Sequence, residues 1–336
     1  MNLEKGCRNA VETCMGVSEE DKVLIVCDED SLSVGKALRD TIRDYTQHIR
    51  FFNLDIYGKR PLGQLPDAIL ETANASTATF WTASSYKGEL ETVRMPFFKA
   101  AINGGRHAHM VSITDEIVKR ALTGDYVEIE KFTNKIHSLA VSADEVRITS
   151  EKGTDLICKV GKYKWIPSTG IIRGIGNWHN LPDGEIFTTP YAAEGTAVID
   201  GTIGDYFDKE YSLAEVEENP VTLKITGEDP ARLVDIECGN KKLKKEFEEY
   251  VDQNPCSRNL GELGIGTNLF IDGLIGNMLM DEKYPSAHIA FGDPNDAMTF
   301  AGWSCPEHVD MIIRHCDIWF DDTMVMEKGK YLIDEI

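Results

Sequence analysis

The stretch Lys22-Val-Leu-Ile-Val-Cys27 is a continuous apolar run, typical of a β-strand that is buried on both faces. Residues 32–45 follow it with apolar side chains at helical spacing, and this alternation of strand and helix recurs through the first half of the chain. Further strands are predicted over residues 48–54, 78–83 and 107–113, and further helices over residues 65–73, 89–101, 114–123 and 127–142. Such alternation predicts right-handed crossovers and a mainly parallel, Rossmann-like sheet.

The pattern changes near residue 145. Residues 145–150 and 154–160 flank Lys152-Gly153 as the two strands of a hairpin would, and Gly, Thr and Val dominate the strand-like segments that follow. One charged helix is predicted over Lys241–Val251. We therefore predict an α/β protein with a Rossmann-like parallel-sheet domain over residues 1–150 and a strand-rich α+β domain over residues 151–336.

The first predicted domain contains two patterns that could suggest a site. Asp28-Glu29-Asp30 stands at the first strand–helix turn, where a dinucleotide site would need G-x-G-x-x-G, and these acids would repel a phosphate. His107-Ala-His109 alternates as two imidazole ligands would, but no carboxylate lies beside it in the sequence. We therefore interpret this domain as a structural layer.

The acidic balance of the chain restricts its partners. The 336 residues carry 35 Lys and Arg against 56 Asp and Glu, a formal net charge of −21. This charge repels phosphate groups, so we expect neither a nucleic-acid partner nor a membrane partner. Neutral or cationic small molecules, including small peptides, are the partners that it favours.

The location predicted from the sequence is cytoplasmic. The first residues carry an acid at Glu4 and no apolar core of a secretory signal, and the apolar residues 269–280 are too few to span a bilayer. Eight cysteines are scattered without a C-x-x-C pair. We expect them to be reduced thiols, most of them buried as small hydrophobic side chains.

Five side chains beyond residue 150 offer the donors of a divalent-metal site. His308 and Asp310 lie two apart at the start of a predicted strand, so both project to the same side. Glu262 lies among glycines that let a ligand or another chain approach closely. Two imidazoles and three carboxylates suit one or two borderline divalent ions, and the predicted ligands are Glu185, Glu262, His288, His308 and Asp310.

Four segments that carry these ligands resemble, in this order, the aminopeptidase T and aminopeptidase S family of metallopeptidases. They are Leu181-Pro-Asp-Gly-Glu-Ile-Phe-Thr-Thr-Pro190, Gly261-Glu-Leu-Gly-Ile-Gly-Thr-Asn268, Asp281-Glu282 leading to His288-Ile-Ala-Phe-Gly292, and His308-Val-Asp-Met-Ile312. The resemblance implies a two-metal site built by the five ligands, zinc or cobalt as the usual metal, and a homodimer. The family carries a tyrosine seven residues after the histidine that corresponds to His288, and this chain has Asn295 there.

Hydrolysis follows from such a site. Two ions held by a shared carboxylate would activate a water and leave one site to capture a free amine. We assign Glu262 and Glu185 as the candidates for bridging ligand and general base, and the choice between them stays open. His179, beside the first motif, is a candidate proton carrier or support for a ligand, although its position by itself favours an exposed loop histidine. The function predicted first is therefore a metal-dependent aminopeptidase-like hydrolase, with manganese or iron(II) as alternative metals.

Two alternatives remain. His288, His308 and Asp310 also match the two-histidine, one-carboxylate composition of non-heme iron(II) sites. The same fold family resembles ring-opening dioxygenases of dihydroxypyridine catabolism, which bind one iron and carry a histidine where this chain has Glu262. The other alternative is a non-catalytic metal-binding homologue, which the missing tyrosine permits.

Overall fold

The computed structural model describes residues 2–204 and 206–333. Its strands are β1 (Val23–Cys27), β2 (Ile49–Asn53), β3 (Ala78–Trp81), β4 (Arg106–His109), β5 (Glu145–Thr149), β6 (Asp155–Lys159), β7 (Ile166–Ser168), β8 (Trp178–Asn180), β9 (Glu185–Thr188), β10 (Ala192–Ile199), β11 (Val221–Thr226), β12 (Arg232–Cys238), β13 (Leu260–Gly266), β14 (Ala287–Gly292), β15 (His308–Ile313), β16 (Asp317–Phe320), β17 (Thr323–Glu327) and β18 (Lys330–Tyr331). Its α-helices are α1 (Asn2–Arg8), α2 (Leu32–Ile42), α3 (Asp67–Asn74), α4 (Met95–Gly104), α5 (Asp115–Ala121), α6 (Tyr126–Ala140), α7 (Phe207–Glu210), α8 (Leu213–Glu218), α9 (Lys241–Val251), α10 (Met278–Asp281) and α11 (Asp296–Thr299).

The first compact unit consists of the described residues up to Glu130 together with Thr169–Asp183. Its sheet has the order β2-β1-β3-β4-β8, and every neighbouring pair is parallel. All residues of β1 are buried, as its continuous apolar run predicts. Helix α2 buries Val34, Leu38 and Ile42, which lie at helical spacing. The parallel sheet predicted for this part of the chain is confirmed.

The second compact unit consists of Lys131–Ser168 and the described residues from Gly184 onward. It contains two antiparallel sheets, one of eight strands in the order β12-β11-β10-β6-β5-β16-β17-β18 and one of five in the order β15-β14-β13-β9-β7. Inward-facing apolar side chains of both sheets belong to one core, which includes Ile148, Leu223, Ile265 and Met311. The mixed α/β class predicted from the sequence is confirmed.

The compact units divide the chain elsewhere than at the predicted boundary near residue 150. The first unit ends at Glu130 inside α6 and takes up Thr169–Asp183 again later in the chain. Strands β5 and β6 form a hairpin across residue 150, so a boundary there would cut a paired element. The sequence also gave no prediction for β8, which is a three-residue strand paired with β4.

One disulfide corrects the prediction that every cysteine is a free thiol. Cys256 and Cys305 are bonded, with their Cα atoms 5.8 Å apart, within the usual range for a disulfide. The pair is separated by 49 residues, so no local spacing indicates it. The remaining six cysteines are free, and all except Cys238 are buried.

Within the described residues, no helix is both long enough and apolar enough to cross a bilayer.

Candidate metal centre

The five-stranded antiparallel sheet places all five predicted ligands on one face. Glu185 begins β9, Glu262 lies in β13, His288 lies in β14, and His308 and Asp310 lie in β15. The register sets Gly264 opposite His288, Gly266 opposite Glu185 and Ala290 opposite both Glu262 and Asp310. Because side chains of a strand alternate between the two faces, this register brings the five donors together although 125 positions separate the first from the last.

Two glycines of β13 permit close approach of neighbouring atoms, the imidazole of His288 at Gly264 and the backbone before β14 at Gly266. A Cβ atom at Gly264 would lie 2.0 Å from Nε2 of His288, and one at Gly266 would lie 2.0 Å from the carbonyl oxygen of Tyr284. Any larger side chain at Gly264 would therefore displace the imidazole. The glycine-rich pattern around Glu262 is explained by this close approach.

The donors form two groups, in each of which one ligand atom per residue lies within 4.8 Å of the others. The closed group consists of Glu185, Glu282 and His288, all buried. The open group consists of Glu262, His308 and Asp310, and the side chains of His308 and Asp310 are 28% and 15% exposed. Each group offers one imidazole and two carboxylates.

A fully buried lysine lies in the closed group. Nζ of Lys283 is 2.6 Å from Oε1 of Glu185 and 2.7 Å from Oε1 of Glu282. Burying an ammonium group is costly unless carboxylates surround it, so the two glutamates and the lysine stabilise one another. The closed group therefore already contains one positive charge before any ion binds.

In the open group, His308 is oriented by the backbone. Its Nδ1–H donates to the carbonyl oxygen of Asp293 over 2.8 Å, because a carbonyl can only accept. This bond fixes the tautomer and leaves Nε2 directed at Asp310, whose Oδ2 is 3.2 Å away. A ligand histidine is usually held in this way by its other ring nitrogen.

Glu262 belongs to the open group but also approaches His288 of the closed group. Its Oε1 is 3.4 Å from Nε2 of His288, and its Oε2 is 3.8 Å from Nε2 of His308. Nδ2 of Asn295 donates to the same Oε2 over 2.8 Å. The position that the related tyrosine would occupy thus carries an amide that contacts a candidate ligand.

The crowded carboxylates shift the pKa values of the site. Burial lowers the pKa of His288, but Glu262, Glu185 and Asp310 outweigh it and raise that pKa to about 9. Burial raises the pKa of Glu282 to about 8.

The open group shows the same competition between burial and charge. Burial lowers the pKa of His308, yet the neighbouring Asp310 and Glu262 raise it well above its ordinary value. Burial raises the pKa of Asp310, but the imidazoles of His308 and His288 lower it overall. Metal-free, the centre holds protons that a cation would displace.

The donor set fits a divalent ion. Both ring nitrogens of His288 and Oδ1 of Asp310 are buried and have no hydrogen-bond partner among the described residues. Buried polar atoms are normally satisfied, so such orphans indicate a missing partner. Imidazole nitrogens with carboxylate oxygens are the ligands of zinc, cobalt, manganese and iron(II).

His179, the third residue predicted to take part in catalysis, lies in β8 of the first unit. Its Nδ1 is 2.8 Å from Oδ2 of Asp183, which is fully buried. A buried carboxylate that holds one ring nitrogen orients the other, as in acid–base catalysis. A role for His179 stays a prediction.

No role was predicted from the sequence for Glu282, Lys283 or Asn295. The signal for the first two was Asp281-Glu282-Lys283, three consecutive charged residues that end three residues before the apolar strand β14 and that the structure buries. A third group of possible ligands, Cys256, Cys305 and Glu307, has both sulfurs joined in the disulfide.

Comparison with known proteins gives two kinds of similarity. The family model described as NicX, 2,5-dihydroxypyridine 5,6-dioxygenase, matches residues 96–268. A curated protein with that name from Pseudomonas putida (strain KT2440) is 24% identical over 213 residues, which are 59% of this chain and 57% of that protein. The aligned part thus spans little more than half of that relative. The family match includes Glu185 and Glu262 but ends before His288, His308 and Asp310.

Two solved structures are similar over nearly the whole chain. The 2,5-dihydroxypyridine dioxygenase of Pseudomonas putida KT2440 is 20% identical, with a TM-score of 0.71 and coverage of 100% of this chain and 99% of that one. Wild-type AmpT from Thermus thermophilus is 14% identical, with a TM-score of 0.69 and coverage of 99% of both chains. At these identities the two structures establish the fold.

Proposed function

This chain belongs to the family described as 2,5-dihydroxypyridine 5,6-dioxygenase. From that premise we propose that it is a metal-dependent enzyme, and that its reaction takes place at the metal centre formed by the closed and open groups. The resemblance to the aminopeptidase T family with its dioxygenase-like branch, predicted from the sequence, is confirmed by the family model, the curated relative and the shared fold.

The observation that supports hydrolysis is the placement of Glu262. Its two oxygens are directed at the imidazoles of two different ligand groups, as expected for a carboxylate shared by adjacent ions. His288 and His308 fall in separate groups, each with two carboxylates. This division favours two ion positions over one site with two histidines and a carboxylate. The proposed reaction is hydrolysis of a peptide or amide with a free amino group.

Bound divalent ions would supply an activated water and polarise the scissile carbonyl. The chain's own residues hold and orient the reactants around them. Glu262 and Glu185 are the proposed ligands that could also accept a proton, and Lys283 holds Oε1 of Glu185 in place. His179, oriented by Asp183, is the proposed proton carrier.

The charge of the centre supports recognition of an amine. The proposed ligands include three carboxylates, and Glu282 adds a fourth when it is ionised. When Glu282 is ionised, these four negative charges face three positive charges from Lys283 and one divalent ion, or five from Lys283 and two ions. With one position filled, the remaining field favours a substrate ammonium group and disfavours a substrate carboxylate.

Ring cleavage of a hydroxylated pyridine-type substrate is the second candidate. The family model and the curated relative both carry that name. Lys283 favours it too, because an ammonium group in the closed group disfavours a second cation there and leaves the open group as a single site. Iron(II) would be the metal in this case.

Several further properties belong to the proposal. Zinc or cobalt is the proposed metal for hydrolysis, with manganese as an alternative, and a small peptide is the proposed substrate. A homodimer and a cytoplasmic location are proposed from the sequence. A homologue that binds metal without turnover is the remaining possibility that the assays below address.

Metal analysis combined with two assays tests the proposal. The protein is purified without added metal under exclusion of oxygen, analysed by mass spectrometry for bound metals, and assayed with unblocked and amino-blocked dipeptides in zinc, cobalt and manganese. We expect two ions per chain and cleavage of the unblocked dipeptides only. One iron per chain, with oxygen uptake on 2,5-dihydroxypyridine and no peptide cleavage, would establish the second candidate instead. Bound metal with neither activity would leave the non-catalytic alternative.

A further inference from the structure

Asn295 has an unusual backbone at the edge of the metal centre. Its φ is 54° and its ψ 49°, in the left-handed region, which asparagine tolerates better than most residues with a side chain. Its carbonyl oxygen accepts the N–H groups of Met298 and Thr299, so the residue begins the short helix α11. This conformation fixes where the side chain projects, and its Nδ2 donates to Oε2 of Glu262.

The support behind Asn295 is shared with a second candidate ligand. Oδ1 of Asp293 accepts the N–H of Asn295 over 2.9 Å, while the carbonyl oxygen of Asp293 accepts Nδ1–H of His308 over 2.8 Å. Oδ2 of Asp293 accepts the N–H of Cys305 over 2.9 Å, next to the disulfide. One turn thus holds Glu262 through Asn295 and His308 through Asp293.

We propose that Asn295 is a positioning residue that keeps Glu262 in its bridging orientation, with Oε2 toward the open group and Oε1 toward the closed group. Rotation of a glutamate carboxylate about its terminal bond is soft, so nothing intrinsic keeps the two oxygens directed at separate groups. A neutral amide donor fixes one oxygen without adding charge to a centre already rich in carboxylates. This inference rests on the metal centre of the proposed function and does not depend on which reaction takes place there.

The amide differs from a tyrosine at the same position in what it can do. A phenol can both donate and accept a proton, whereas the Nδ2 group of Asn295 only donates. The role inferred here is therefore orientation of a ligand, and proton transfer at this position is excluded by the chemistry of the side chain. A chain with Asn295 should bind metal with an ordered Glu262.

The test compares Asn295→Gly with Phe300→Gly. Both replace a residue with positive φ at the two ends of the same short helix, because Phe300 has a φ of 59°. Glycine accepts that backbone, so both variants relieve the same kind of strain. Phe300 is 69% exposed, and only Asn295→Gly removes the donor to Glu262.

Zinc binding to the metal-free proteins is measured by calorimetric titration against a competing chelator, and thermal unfolding of the metal-free proteins is followed alongside. We expect Asn295→Gly to bind zinc about 10-fold more weakly or worse, the usual cost of losing a residue that orients a ligand. Phe300→Gly should bind as the wild type does, and the two variants should unfold at similar temperatures.

Equal zinc affinity in Asn295→Gly and the wild type would overturn the inference while leaving the proposed metal centre intact. A weaker affinity accompanied by a much lower unfolding temperature than that of Phe300→Gly would also overturn it, since the residue would then serve the fold. A wild-type protein that binds no divalent ion would overturn the proposed function and this inference together.

Discussion

The closed and open groups contain the same donor types but differ in what neutralises them. Glu185, Glu282 and His288 are buried, and both glutamates contact the ammonium group of Lys283, so the negative charge of this group is partly balanced by the protein itself. In the open group, Glu262 is buried, whereas His308 and Asp310 are partly exposed. The side-chain hydrogen bonds described from this group to residues outside it involve neutral partners, the side-chain amide of Asn295 and the backbone carbonyl of Asp293. A cation should therefore bind the open group first. Two metal positions with the same ligand types can therefore differ in affinity because of the charges that surround the ligands.

The largest expected effect comes from removing the buried cation. Lys283→Met leaves Glu185 and Glu282 buried without their counter-charge, so the metal-free protein should lose about 3–5 kcal/mol of unfolding free energy. Added zinc should restore more of that stability in the variant than in the wild type, because the closed group then lacks a competing cation. Chemical denaturation with and without zinc measures both effects.

Lys328→Met is the matched control for this substitution. Its Nζ is 2.6 Å from Oε1 of Glu151, but both side chains are largely exposed, and solvent screens such pairs so that they contribute little to stability. If the two lysine variants lose equal unfolding free energy, Lys283 does not neutralise the buried glutamates of the closed group.

Removing ligands of the open group should have the next largest effect. His308→Ala and Asp310→Ala should weaken binding of the first ion by about 100-fold or more, beyond the usual cost of losing a supporting residue. Glu282→Gln, in the closed group, should weaken the first ion by less than about 10-fold on the same scale. Metal content and competition titrations provide the comparison.

His179→Ala is the control for the ligand variants, since it should keep its metal content while turnover falls. Full metal occupancy in both His308→Ala and Asp310→Ala would show that the open group is not the first site.

A smaller effect is expected from pH. The pKa of His288 is raised in the metal-free fold from 6.5 to about 9, so its contribution to stability is present below pH 6.5 and is lost as the pH rises through 9. The pKa of Glu282 is raised from 4.5 to about 8, so its contribution to the stability of the metal-free protein is likewise lost as the pH rises through 8. Each proton lost contributes at most about 1.4 kcal/mol per pH unit.

Zinc binding should have the opposite slope, because the ion displaces these protons and binds more strongly as the pH rises toward 9. Unfolding of chelated and zinc-loaded protein at pH 6, 7, 8 and 9 separates the two trends. Parallel pH profiles for the two forms would mean that zinc does not compete with protons at this centre.

The local patterns of the sequence predicted the elements well, because they reflect only neighbouring residues. The apolar run of β1 and the helical spacing of apolar residues in α9 could be recognised without knowledge of the rest of the chain. The spacing of His308 and Asp310 in β15 already predicted that both side chains lie on the same side of the strand. The return of Thr169–Asp183 to the first unit depends on pairing between β4 and β8, which lie about 70 residues apart, and no local pattern records such pairing.

The site was predictable to a similar degree. Its five candidate ligands were found through motifs and family resemblance. Lys283 and Asn295 were not, because burial of a charged side chain and a contact to Glu262 arise only when distant strands come together. A lysine beside two acids in sequence is usually a solvated surface residue.

The discontinuous first unit affects folding during synthesis and the choice of fragments for expression. During synthesis the four strands β1 to β4 emerge first, yet the fifth strand of their sheet is not available until residues 178–180 have left the ribosome. Until then β4 is an unprotected edge that can pair with another nascent chain. A fragment ending at residue 150 would keep that edge permanently and should aggregate, whereas an expression fragment of the first unit must include Thr169–Asp183.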